Sequence, residues 1–228
     1  MPAKKKPTTR KTKRIDVHSH VVPKEMLDAL KANPQRFGMR YLDDDKSHRR
    51  LAKDGGGGQP VFDEFYDPAA KVKGMDRKGL DVSMISPAPI VYFYWLDADA
   101  GYEAARIVND GIANMVAAYP ERLMGLGTLP MQSPKDAVKE LEYCMKKLGF
   151  KGIEIGTNVA GAEIADPQYE KMWAKAEELG AVVFLHPIGF TSPQRLTKHF
   201  LTNVIGNPLD KTLRWRISCS AEIGRAHV

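Results

Sequence analysis

Only two cysteines occur in the 228 residues, Cys144 and Cys219. They provide no disulfide framework and no zinc-ribbon spacing. That scarcity points to a reducing, intracellular compartment, and the cytoplasm is the expected location. Long apolar runs are also missing: no stretch of eighteen apolar residues exists, so no segment reads as a membrane span. The N-terminus lacks the apolar core of a secretory signal. Acid is absent from the first 14 residues, MPAKKKPTTRKTKR, which hold Lys4, Lys5, Lys6, Arg10, Lys11, Lys13 and Arg14. Without these seven cations the formal charge of +6 becomes −1. The basicity therefore belongs to a tail expected to be disordered, not to a folded face. Nucleic acid is not the expected partner of the folded part.

What remains is ordinary globular composition, 43% hydrophobic and 27% charged, long enough for a sizeable core. From Arg14 onward the chain reads as strand then helix, repeatedly. Strands are predicted at 14–20, 82–87, 123–130, 152–157 and 181–187. These are short apolar runs without clean alternation, as parallel strands buried on both faces require. A helix is predicted over 134–148, with Ser133 as N-cap, Pro134 in the first turn and Gly149 beyond the end. Ala137, Leu141, Cys144 and Leu148 share one face of it, so Cys144 reads as a core residue. Asp166 and Pro167 open a further helix that Gly180 closes. Such alternation implies a parallel sheet, open or closed into a barrel.

The first strand ends in Ile15-Asp16-Val17-His18-Ser19-His20-Val21-Val22-Pro23. Residues i and i+2 of a strand share a face, so His18 and His20 project together. Alone, the pair reads equally as two half-buried histidines closing a strand. The fifth strand also ends in a histidine, Val182-Val183-Phe184-Leu185-His186-Pro187. Strands one and five of an eight-stranded barrel face each other, and their C-terminal ends are where barrel enzymes keep their sites. Three imidazoles converging there suit one divalent ion, zinc in the first instance, with a position left for water or substrate.

Residues 33–68 break the rhythm. They are polar, with Asp43-Asp44-Asp45, His48-Arg49-Arg50 and a glycine run from Gly55 to Gly58. No strand precedes that run and no Gly-Lys-Thr follows it, so it is not a phosphate loop. The segment reads as a flexible insertion on the active-site side of the barrel. There Arg49 and Arg50 would meet an anionic substrate, unless they form only a solvated charge cluster.

IDVHSHVVP, MDRKGLDVSMISP at 75–87, GLGTLPMQ at 125–132, GFKGIEIGTNV at 149–159, ELGAVVFLHP at 178–187 and FLTNVIGNPLD at 200–210 occur in order. Together they resemble the amidohydrolase superfamily, in its aminocarboxymuconate-semialdehyde-decarboxylase-like branch, from about Arg14 to Leu213. The resemblance implies an α/β fold, a (β/α)8 TIM-type barrel of which about five of eight βα units are present, and one divalent metal. His18, His20 and His186 match its ligands. It also implies a histidine after the sixth strand and an aspartate after the eighth, both expected beyond this chain. Residues 15–213 are thus read as a partial barrel and 214–228 as an aberrant C-terminus. The final IGRAHV reads like a translated sequencing adapter, so His227 is not counted as a ligand. His199, in an expected helix, reads as a surface or packing residue.

The implied chemistry is decarboxylation of a carboxylated aromatic or unsaturated acid by the whole protein, which is expected to be a homodimer. The chain itself is expected to be an inactive fragment. A metal-dependent hydrolase of a lactone or amide stays open, as does a non-enzymatic basic-tailed binding protein. Where the branch's semialdehyde decarboxylases carry an arginine before Pro-Val, Gln59 precedes Pro60-Val61. Where they carry an aromatic two residues after the third histidine, Ile188 stands. A neutral amide does not replace a guanidinium fork, so a different carboxylic acid is the expected substrate. Arg49, Arg50, Gln59, Asn158, Ile188 and Arg195 make up the candidate substrate-binding set.

Overall fold

A computed structural model of the chain describes residues 12–43, 49–53, 58–189, 196 and 198–220, with side chains to residue 213. Most of the basic tail expected over residues 1–14, namely residues 1–11, lies outside the described residues, as do Arg195, the glycines 55–57 and the last eight residues.

Strand β1 (Ile15–Val21) leads into α1 (Lys24–Ala32) and α2 (Pro34–Phe37). Then come β2 (Met39–Leu42), β3 (Arg50–Lys53), β4 (Gln59–Pro60), α3 (Asp63–Tyr66) and α4 (Pro68–Lys78). Regular alternation follows: β5 (Val82–Pro87), α5 (Ala98–Ala118), β6 (Leu123–Gly127), α6 (Pro134–Lys146) and β7 (Gly152–Gly156). A small hairpin, β8 (Asn158–Val159) with β9 (Ala162–Glu163), precedes α7 (Glu170–Glu178), β10 (Val182–His186) and α8 (Asn207–Ser220).

The main sheet has the order β1-β5-β6-β7-β10, and every neighbouring pair is parallel. Spatial order follows chain order without the reversal that marks a doubly wound sheet. The five strands form an arc of a TIM-type barrel, five βα units long. Gly127, Gly152 and Gly156 let this arc pack closely. A Cβ on Gly152 would lie 1.8 Å from the Val182 carbonyl oxygen on β10.

The helices form where their signals predict. Asp67 caps α4 by accepting from Ala69 N, Pro68 occupies the first turn, and Gly79 ends the helix at φ +65°. Asp97 caps α5 through Ala100 N at 2.8 Å. Ser133 stands at the N-cap position of α6, but its hydroxyl donates to Asp136 Oδ2 at 2.6 Å and caps no backbone amide. Cys144 is fully buried, as its helical face predicts. Two apolar clusters flank the sheet, one around Met26, Phe93, Val108 and Leu123, the other around Leu129, Leu141, Ile153 and Met172. Among the described residues no helix is long and apolar enough to cross a membrane.

Two expectations require correction. Residues 33–68 are not simply a flexible insertion, because their described part holds a three-stranded antiparallel sheet, β2-β3-β4, between the short helices α2 and α3. Its cause is sparse but real apolar content: Phe37, Met39, Leu51 and Val61 are buried in the first cluster. His199 is exposed in a turn at φ +56°, not in a helix; the helix that follows begins with a π-helical turn at Thr202–Gly206.

Candidate metal centre

β1 does not run in unbroken register beside β5. The pairing slips between Asp16 and Ser19, a bulge-like irregularity that contains His18. Such irregularities re-aim side chains beside active sites. Asp16 Oδ1 accepts from His18 N at 3.1 Å and holds the bend. At the end of the strand, Val21 O accepts from Ala88 N and Val22 N donates to Phe65 O. Lys71 of α4 is buried, and its ammonium donates to Ser19 Oγ at 3.1 Å and to His20 O at 3.0 Å. Burial pulls that lysine down to about 8.

On the other side, β10 pairs with β7 so that His186 stands beside Gly156, and Thr157 N donates to His186 O at 2.9 Å. The arc thereby brings β1 and β10, its two outer strands, face to face. The ring nitrogens of His18, His20 and His186 that would bind an ion all lie within 4.8 Å of one another. Nε2 of His18 and Nε2 of His20 are 2.9 Å apart, and the rings of His20 and His186 have centroids 5.0 Å apart. Among the described residues this is the one cluster of three or more such groups.

The donor set fits a divalent cation. His20 Nδ1 faces Pro87 O at 3.3 Å, and His186 Nδ1 faces Pro187 O at 2.9 Å. A carbonyl only accepts, so in each neutral ring Nδ1 holds the proton and Nε2 the lone pair. Burial, with the other imidazoles as neighbours, pulls His20 down to about 4. Burial likewise pulls His186 down to about 4. Burial and the Lys211 charge also lower His18. All three rings are thus neutral at neutral pH, the form in which imidazole can bind a metal.

Behind His20 lies a group that sequence reading missed. Glu154, in the middle of β7, is fully enclosed, and its Oε1 is 3.6 Å from His20 Nδ1. Tyr92 donates to the same oxygen at 2.6 Å. Burial pushes Glu154 up to about 7, against the pull of the Tyr92 and Ser86 hydroxyls and of Lys211. The signal was available: an acid in the apolar run Gly152-Ile153-Glu154-Ile155-Gly156 needs a buried polar partner.

The predicted substrate-binding set is not gathered in one place. Asn158 and Ile188 are together just beyond the ends of β7 and β10. Asn158 Nδ2 donates to Ile188 O at 2.5 Å, and Ile188 N donates to Thr157 Oγ1 at 3.2 Å. Asp210, buried, accepts from the same Thr157 hydroxyl and ties α8 to this corner. Arg49, Arg50 and Gln59 instead belong to the small sheet. Arg49 pairs with Asp43 at 3.0 Å and Asp63 at 2.6 Å and contacts Tyr66, so its charge is matched by local acids. Arg50 and Gln59 are exposed at the two ends of the β3–β4 ladder.

The amidohydrolase family profile matches residues 15–215. This chain belongs to the amidohydrolase family. It is 32% identical over 201 residues to the 2-amino-3-carboxymuconate-6-semialdehyde decarboxylase of Dictyostelium discoideum, a match covering 88% of the chain and 56% of that relative. The solved 5-carboxyvanillate decarboxylase of Sphingomonas paucimobilis has the same fold, with a TM-score of 0.72 at 22% identity over 90% of this chain and 62% of that one. A dihydroxybenzoic acid decarboxylase from Polaromonas sp., with bound manganese and the inhibitor 2-nitroresorcinol, shares it with a TM-score of 0.66 at 23% identity, over 89% and 58% of the two chains. The chain thus spans between 56% and 62% of the length of these amidohydrolase relatives.

Proposed function

We propose that the protein is a metal-dependent carboxy-lyase acting on a carboxylated aromatic or unsaturated acid, with one divalent ion held by His18, His20 and His186. The observation that carries this reading is the convergence of three neutral imidazoles from opposite strands at the C-terminal mouth of the arc. An all-imidazole set favours zinc over the oxygen-seeking ions. When bound, such an ion stabilises the charge that develops as the carbon–carbon bond to the carboxylate breaks. The chain's own residues prepare the place. Lys71 fixes the backbone of β1 beneath the ligands, and the Pro87 and Pro187 carbonyls set the tautomers of His20 and His186. Lys211, 5.6 Å over the Phe184 ring, adds positive charge beside His18 and His186 and favours an anionic substrate. Gln59 and the ion-paired Arg49 argue for an acid other than the semialdehyde. Hydrolysis of a lactone or amide uses the same three ligands, and the decarboxylase relatives are what favour carboxy-lyase chemistry. We further propose that residues 1–228 alone do not turn over, because no proton-transferring histidine joins the triad among the described residues. The test is a panel of carboxylated phenols and unsaturated diacids. It is offered to the zinc-loaded protein, both as residues 1–228 and as the longest reading frame that carries them. Carbon dioxide release by the longer form is the expected result. Water uptake by lactones or amides with no carbon dioxide overturns the assignment.

A further inference from the structure

We propose that Glu154, held in place by Tyr92, is a positioning residue that locks the His20 ring with its Nε2 lone pair toward the metal centre. The proposal rests on the assignment of His20 as a ligand. Three observations carry it. The Glu154 carboxylate is completely enclosed, yet Oε1 lies 3.6 Å from His20 Nδ1, beside the 3.3 Å contact of the same nitrogen with Pro87 O. Nδ1 therefore meets acceptors only, and a ring rotated by half a turn would place a carbon there instead. Pro87 O is within hydrogen-bond distance of Nδ1 at 3.3 Å, and the enclosed carboxylate at 3.6 Å adds a charge–dipole attraction that favours an N–H over a ring carbon at that place.

The carboxylate is itself built in. Tyr92 donates to Oε1 at 2.6 Å, stacks on Tyr94 with centroids 5.4 Å apart, and Tyr94 OH accepts from Gly156 N at 3.1 Å. Between Tyr92 and Tyr94 the backbone turns through a left-handed residue, Phe93. Phe93 is fully buried at φ +54°, a conformation that bulky residues rarely adopt. That turn sends Phe93 into one apolar cluster while Tyr92 and Tyr94 enter the other. Backbone strain of this kind persists where surrounding structure imposes it, and it clusters at functional sites. A purely structural anchor for Tyr92 would require an acceptor, but not one within reach of a ligand histidine.

The test uses residues 1–228 and three variants: Glu154→Met, which keeps length but removes the acceptor; Glu154→Gln, which keeps a carbonyl oxygen; and Tyr92→Phe, which releases the carboxylate. Histidine ring nitrogen shifts are recorded on metal-free protein at one neutral pH, and the Kd for Zn2+ is measured on the same samples. The proposal expects His20 to change from a single Nδ1–H tautomer to a mixture in Glu154→Met. Zinc affinity should fall 10- to 100-fold, the usual effect of losing an outer partner of a ligand histidine. Glu154→Gln should recover most of that loss, and Tyr92→Phe should change both readouts in the same direction as Glu154→Met. Unchanged His20 shifts and zinc Kd in Glu154→Met overturn the proposal. Should that variant fail to fold, the same null result in Tyr92→Phe overturns it. Absence of zinc binding by the unmutated chain would instead overturn the metal assignment and leave the tautomer readout to decide the role of Glu154.

Discussion

The two outer strands of the arc and the strands between them perform different work. β7 is buried at every position, and β6 at four of its five. β1 and β10 are half open to solvent: Ile15 is 53% exposed, Val17 55% and Val182 51%. All three candidate ligands sit on the open strands. The inner strands supply the buried core, and the outer ones carry the three histidines proposed to hold the ion. Apolar burial is lowest where the ligands are, so an ion bound there would also act as a cross-link between the two least buried strands.

Removing the ligands breaks this division most sharply. His18→Ala with His20→Ala should reduce zinc from about one ion per chain to about none, measured by elemental analysis of dialysed protein. The metal-free melting temperature should barely change, because His18 is exposed and His20 only half-buried. Unchanged metal content would sink the triad. Next in size is a matched pair of truncations. Ile155→Ala, in the fully buried β7, should cost about 2–5 kcal/mol in urea unfolding. Val182→Ala, on the exposed start of β10, should stay within about 0.5–1 kcal/mol. Equal costs would mean that the outer strand is as integral to the core as the inner one.

The smallest effect sharpens the picture on the helix layer. Burial raises the Cys144 thiol well above its ordinary value of 9.0. Between those two values the folded chain keeps a proton that the unfolded chain releases. The thiol's contribution is therefore complete below pH 9 and is lost as pH rises, at up to about 1.4 kcal/mol per pH unit. Unfolding measured from pH 8 to 10.5 should show that slope, and Cys144→Val should flatten it. An identical slope in the variant would show that other groups set the alkaline limit.

Much of the site was legible before the structure. His18, His20 and His186 announced themselves by their positions at strand ends, and period-two alternation is a local property of the chain. Glu154 was not legible as a partner of His20, although an acid between Ile153 and Ile155 marked an anomaly. Arg49 read either as a substrate contact or as part of a solvated charge cluster, and its ion pairs with Asp43 and Asp63 accord with the second reading. The β2-β3-β4 sheet was hidden because its apolar residues are few and widely spaced, and antiparallel pairing of short strands depends on partners that periodicity does not name.

The alternating strands and helices, the parallel sheet, the helix opening at Pro134 and the three candidate ligand histidines could be read from the chain. Each depends on signals within a few residues: side-chain period, caps and backbone preference. The groups that stand behind the candidate ligands became visible only in the fold. Lys71 lies 51 residues from His20, and Tyr92 lies 62 from Glu154. Such contacts depend on the path of the whole chain around the arc, and no local preference encodes which buried donor will meet which buried acceptor.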